Sequence, residues 1–191
     1  AAKIYATARD PSRLAREGGP VEAIALDITN HAQVAEVARR CADVTLLVNN
    51  AGINFNTPLL GIAGLDNART EIETNYFGTL AMCRAFAPIL KANGGGAIVN
   101  MLSIVARVNL PMYGSLSASK AAALSLTQGV RGELAKQGTL VVAVMPGAVD
   151  TEMERNFPPP KLPPADAASA ALDAVEQGIE EVYPGDMATG M

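Results

Sequence analysis

The chain has 191 residues, of which 49% are hydrophobic, 18% charged and 4% aromatic, with no Trp and a formal net charge of −4. At roughly 100–200 residues per domain, that describes one soluble globular domain whose core is filled by small aliphatic side chains. The acidic balance argues against a nucleic-acid footprint, no apolar run approaches the ~20 residues of a membrane span, and no signal-peptide core opens the chain, so a cytoplasmic protein is expected.

In chain order, residues 2–8 read as a strand and 23–26 as another. Asn30 then caps a helix, with Gln33 three residues on in the manner of a capping box. Val34, Val37, Ala38 and Cys41 follow at i, i+3, i+4 and i+7, the spacing of an amphipathic helix. His31, the one His, stands at this helix start as a capping or surface residue. Residues 44–48 form an aliphatic run and predict a buried strand. A helical stretch covers 66–91, Gly94-Gly95-Gly96 breaks it, and 97–101 is the next strand. Residues 116–136 predict a helix ending at Gly138, and 140–145 a strand stopped by Pro146-Gly147. The Pro-rich stretch 157–164 is excluded from helix and strand and reads as a loop. An Ala-rich helix over 165–177 and a short strand over 181–183 complete the chain. Cys41 and Cys83 read as small buried hydrophobes rather than a disulfide. One His and two scattered Cys assemble no metal site.

Strands alternating with helices imply parallel pairing through right-handed crossovers, a doubly wound three-layer α/β fold of Rossmann type over residues 1–191 as a single domain. In such a sheet ligands bind beyond the carboxyl ends of the strands. Four strand ends here carry small or polar residues: Asp27-Ile28-Thr29, Asn49-Asn50-Ala51-Gly52, Leu102-Ser103, and Pro146-Gly147-Ala148-Val149-Asp150-Thr151. Four such ends in register point to one crevice.

The Asn-Asn-Ala-Gly string, the spacing from Ser103 to Lys120, and the Pro-Gly…Thr string together resemble the short-chain dehydrogenase/reductase family, from residue 2 to about 185. The resemblance implies the following roles. Asp27, with the Ile28 backbone beside it, accepts from the adenine amino group. Asn49 braces the central strands, and Ala51 and Gly52 allow close approach of a cofactor ribose. Asn75 organises a proton-relay water. Ser103 hydrogen-bonds the substrate carbonyl, and Lys120 holds the nicotinamide ribose while favouring a neighbouring phenolate. Pro146, Gly147 and Thr151 line the nicotinamide carboxamide.

Cofactor preference has a physical argument. A carboxylate at the end of the second family strand binds the ribose 2′-hydroxyl of NAD. Here the strand at 2–8 leads into Arg9 instead. A guanidinium makes paired bonds to phosphate, so Arg9 and Arg13 fit the 2′-phosphate of NADP(H), with NAD the less favoured cofactor. Solvated surface charges are the alternative for both arginines, and Asp10 is placed to pair with Arg13.

Two positions depart from the family pattern. Counting forward from Ser103 and back from Lys120, the residue expected to be the Tyr general acid is position 116, and it is Leu116. A positioned acid contributes about 10²–10⁴-fold, so ketone reduction is expected to be impaired. Tyr113, one helical turn earlier, is a candidate surrogate. The second departure is at the start: no G-x-x-x-G-x-G string that would hold a pyrophosphate occurs. The strands at 2–8 and 44–48 would then face each other across a gap, with unpaired backbone groups costing roughly 1–3 kcal/mol each when buried. A preceding segment that supplies the strand is expected ahead of a strand from another chain or a rearranged sheet.

The reading is an NADP(H)-dependent oxidoreductase moving a hydride between nicotinamide and a carbonyl or alcohol carbon of a small molecule. A catalytically degenerate NADP-binding or structural protein on the same scaffold is the alternative. A flavodoxin-like or receiver-type domain would need an acidic cluster at the first strand end. The segment 152–164 is expected on the substrate side, and its Met153, Phe157 and Leu162 suggest an apolar ligand. The resemblance also implies a homodimer or homotetramer through the helices at 66–91 and 116–136, with no nucleic-acid or membrane partner.

Overall fold

A computed structural model describes residues 3–16, 20–61 and 64–190. β1 (Ile4–Ala8) pairs in parallel with β2 (Val21–Ala25), Ile4 opposite Val21 and Ala8 opposite Ala25. A second sheet holds β3 (Leu46–Asn49), β4 (Ala97–Met101), β5 (Leu140–Val144) and β6 (Glu181–Val182) in that order, all parallel. The helices are α1 (His31–Arg40), α2 (Asp66–Ile72), α3 (Thr79–Ala92), α4 (Gly114–Leu134), α5 (Pro164–Gln177) and the short α6 (Asp186–Thr189). This is the expected α/β class with a parallel sheet. No helix among the described residues is long and apolar enough to cross a membrane.

The layers follow from strand alternation, since successive side chains leave opposite faces of a sheet. Along β5, Val141 joins the cluster of α1, α3 and α4, whereas Val142 and Val144 pack on Ala171 and Ala174 of α5. Residues 141–144 are fully buried, as a central parallel strand covered on both faces requires. Cys41 and Cys83 are free and buried in the larger cluster, beside Val37, Phe86 and Ile98.

That cluster spans both sheets: Ile24 of β2 and Leu47 of β3 belong to it, and Tyr5 of β1 packs against it. The Tyr5 hydroxyl donates to Asp43 at 2.7 Å, just ahead of β3. Yet β1 pairs with β2 alone and β3 with β4 alone among the described residues. Ile4 and Val48 remain 42% and 46% exposed along these strands. The interruption in the ladder falls between the two strands that were expected to face each other across a gap.

Local chemistry sets the boundaries. Asn30 Oδ1 accepts from the Ala32 and Gln33 amides and starts α1. The capping-box reciprocity is displaced: Gln33 Oε1 accepts from the Asp27 amide at 2.8 Å, tying the helix to the end of β2. The stretch 66–91 is not one helix. A π-helical turn, Glu73–Gly78, separates α2 from α3 and holds Asn75. Such widened turns recur at functional sites. α4 starts at Gly114, two residues before the expected position. Pro164 is helical after all, because the first helical position needs no N–H.

Candidate active site

The carboxyl ends of β3, β4 and β5 open on a cleft of about 720 Å³. Its wall includes Ala51 and Gly52 after β3, Ser103 after β4, Pro146, Gly147 and Thr151 after β5, and Leu116 and Lys120 from α4. Residues far apart in the chain therefore meet because parallel strands deliver their ends to one edge.

Lys120 Nζ donates to the Met101 carbonyl at 2.9 Å. Burial lowers its pKa to about 8, because desolvation penalises the ammonium. Asn75 is buried in the π-turn. Its Oδ1 accepts from the Ile53 amide at 2.9 Å, and its Nδ2 donates to the Ile53 carbonyl at 3.0 Å and to Ser119 Oγ at 2.9 Å. It thus pins the loop after β3 to α4. Gly52 lies against this pair: a Cβ there would stand 3.2 Å from Asn75 Oδ1 and 3.6 Å from Lys120 Nζ. Glu71, fully buried on α2, holds the same loop by accepting from the Phe55 amide at 2.7 Å.

Ser103 Oγ donates to the Pro146 carbonyl and accepts from the Val105 amide, both at 3.3 Å. Thr151 Oγ1 donates to the Val149 carbonyl at 3.4 Å. Behind the strands, Asn49 Nδ2 donates to Asn100 Oδ1 at 2.8 Å and Asn100 Nδ2 to Thr127 Oγ1 at 2.9 Å. Thr127 Oγ1 in turn donates to the Ala123 carbonyl at 2.7 Å. This buried chain braces β3, β4 and α4 against one another.

Leu116 is 6% exposed and packs with Ile104, Val105 and Tyr113. Tyr113 itself is not on the cleft wall. Its hydroxyl donates to Glu154 at 3.1 Å and its ring stacks on Phe157 with centroids 6.4 Å apart. Burial, then the nearby carboxylate, pushes the phenol up to about 12. The other expected residues sit away from the cleft. Asp27 follows β2 by two residues, where the Thr29 hydroxyl and amide bond its carboxylate at 2.7 and 2.9 Å and hold it below the usual range. Ile28 lies over Gly78, whose added Cβ would meet it at 2.6 Å. Arg9 is exposed directly after β1, and its charge also lowers Asp27. The side chain of Arg13 lies outside the described residues.

Glu154 had no signal in the sequence. Its carboxylate joins Tyr113 to Asn54 Nδ2, the latter at 3.4 Å, and so links three segments around the cleft. Residues 149–162 are closed at their base: the Leu162 amide donates to the Ala148 carbonyl and the Asp150 amide to the Leu162 carbonyl, at 2.8 and 2.9 Å. Lys161 pairs with Asp150 at 3.0 Å across the same neck.

The sequence profile described as short chain dehydrogenase matches residues 3–161. The chain is 32% identical over 190 residues to an uncharacterised oxidoreductase of Staphylococcus saprophyticus, covering 92% of this chain and 81% of that protein. A solved structure of a short chain dehydrogenase from Burkholderia cenocepacia in complex with NADP is 53% identical, with a TM-score of 0.95 over 100% of this chain and 80% of that one. One from Sphingobium yanoikuyae in complex with NADPH is 28% identical, with a TM-score of 0.83 over 95% of this chain and 77% of that one. With matched profile, ladder order and strand-end residues in agreement, the chain belongs to the short chain dehydrogenase family.

Proposed function

We propose that this chain carries the catalytic cleft of an NADP(H)-dependent oxidoreductase acting on a small carbonyl or alcohol substrate. The observation that carries this reading is the convergence of Ser103, Lys120, Gly147 and Thr151 on one cleft. The residues suit the cofactor: Gly52 leaves room beside Lys120 and Asn75, while Asp27 and Arg9 follow the ends of adjacent strands. The NADP and NADPH held by the two solved relatives support the same cofactor here.

When bound, the nicotinamide supplies hydride. Ser103 orients the substrate oxygen, Lys120 holds the ribose, and Asn75 fixes the loop that carries Gly52. Pro146, Gly147 and Thr151 border the carboxamide, with Ala51 along the ribose. Arg9 and Arg13 take the 2′-phosphate, and Asp27 with Ile28 takes the adenine. Residues 1–191 act as one unit with 152–164 on the substrate side, in the cytoplasm, as a homodimer or homotetramer. The half-exposed Phe77 at the end of the π-turn supports such an association.

Fluorescence titration of NADPH and NADH, before and after Arg9→Asp, tests the cofactor assignment. Tighter NADPH binding that Arg9→Asp abolishes supports it; equal binding of both overturns it. Leu116 favours a second reading, a cofactor-binding protein without turnover. A carbonyl panel assayed with NADPH separates the two.

A further inference from the structure

Reduction of a carbonyl leaves an oxygen that must gain a proton, and Leu116 stands where the expected phenol would give it. Most proton-bearing side chains near the cleft are already committed. The Ser103 hydroxyl is already assigned to orienting the substrate oxygen, that of Thr151 donates to Val149, and that of Tyr113 to Glu154. Both N–H bonds of the Asn75 amide go to Ile53 and Ser119.

Lys120 is different. An ammonium carries three N–H bonds: the described residues take one, at the Met101 carbonyl, and the ribose assigned to Lys120 above takes a second, which leaves one for the substrate. The side chain lines the same cleft as Ser103 and Leu116. It follows Leu116 by one helical turn, so both leave the same face of α4. The aliphatic wall at Leu116 adds no competing hydrogen-bond partner.

We propose that in this chain Lys120 itself delivers the proton to the substrate oxygen, in place of a phenol at position 116. The proposal rests on the oxidoreductase reading. The carbonyl carbon gains its C–H bond with hydride from reduced nicotinamide, which is oxidised by two electrons. The C=O π pair moves onto oxygen. One Nζ–H bond breaks as the O–H bond forms, and its electron pair stays on nitrogen. An alcohol and a neutral amine result, and water reprotonates the amine.

The electrostatics fit this role. Burial brings Lys120 down to about 8, near the pH at which a donor is best matched to its task. The titratable groups on the same cleft are Glu152 and Glu154, both on the segment after Thr151. Glu152 pairs with Arg155 at 2.6 Å, and Glu154 is bonded by Tyr113 and Asn54. The cleft-lining residues of the loop after β3 and of β4 are non-ionisable, as is Asn75 of the π-turn beneath them.

Two measurements test the proposal. Competitive acetylation of the free protein across pH, read by peptide mass spectrometry, should give Lys120 a midpoint near 8. A midpoint at the ordinary 10.5 would overturn the assignment. With NADPH and a carbonyl panel, turnover should fall about tenfold per pH unit above that midpoint. Lys120→Arg keeps the charge but holds its proton, and should lose at least ~100-fold in kcat measured at saturating NADPH. If Lys120→Arg turns over within about threefold of the parent, the lysine acts through charge alone and the proposal fails. If Leu116→Tyr reduces carbonyls and the unaltered chain does not, the oxidoreductase reading stands and the lysine donor falls. If neither does, the reading falls and the proposal with it.

Discussion

Asn100 is 1% exposed and joins Asn49 to Thr127 behind the strand ends that carry the cleft. Replacing it by Leu keeps approximate volume and removes both bonds. Each contributes about 1 kcal/mol net, and the Asn49 amide is left with an unmet donor worth roughly 1–3 kcal/mol. That donor keeps only the Cys83 sulfur at 3.5 Å, a weak acceptor, so little of the penalty is relieved. Thr127 still donates to Ala123, so its hydroxyl adds little to the loss. The expected cost is therefore about 3–5 kcal/mol, a large share of the ~5–15 kcal/mol that holds a domain folded. With a urea m-value of about 2 kcal/mol/M, the unfolding midpoint should drop by ~1.5–2.5 M at unchanged slope. Thr127→Val supplies the cross-check: the double variant should be at least ~0.5 kcal/mol more stable than the sum of the singles implies. A drop below about 0.5 M, or strictly additive singles, would refute the claim that this chain of bonds holds β3, β4 and α4 together.

Two glycines separate backbone strain from collision. Gly138→Ala meets a left-handed φ of +75° in open space and should cost about 1–2 kcal/mol. Gly96→Ala, at φ +66°, also drives a Cβ to 2.2 Å from the Thr45 carbonyl and should exceed about 3 kcal/mol in the same denaturation assay. The thiols give a pH prediction. Burial pushes Cys83 from 9.0 to about 12, so its contribution to stability is intact below pH 9 and is lost as pH rises toward 12. Denaturation midpoints at increasing pH should fall across that window, and both cysteines should react with a thiol reagent only after unfolding.

Much of the cleft was legible because its residues adjoin strands. Asn49 to Gly52, Ser103 and Pro146 to Thr151 each follow an aliphatic run that ends abruptly, and a parallel sheet gathers such ends. Lys120 was placed by its spacing from Ser103. The interruption between β1 and β3 was likewise readable, as the gap expected between the strands at 2–8 and 44–48. Other features left no local trace. The π-turn around Asn75 interrupts a stretch that reads as one continuous helix, because a single widened turn barely alters apolar spacing. Glu154 meets Tyr113 and Asn54 across 41 and 100 positions, contacts that only the folded chain creates. The Phe55 amide draws the Glu71 carboxylate fully inside, a burial that nothing local in the sequence marks. Tyr113 shares the helical turn that leads to Leu116, but the Glu154 carboxylate turns its hydroxyl elsewhere.

The neck at Val149 and Leu162 has an evolutionary consequence. Two backbone bonds and the Asp150–Lys161 pair anchor the excursion before it leaves the body of the protein. Changing the number of residues beyond such an anchor alters closure entropy only logarithmically, about 0.6 kcal/mol per doubling. The stretch from 155 to 160 can therefore change in length and composition while Thr151, Glu154, Ser103 and Lys120 stay untouched.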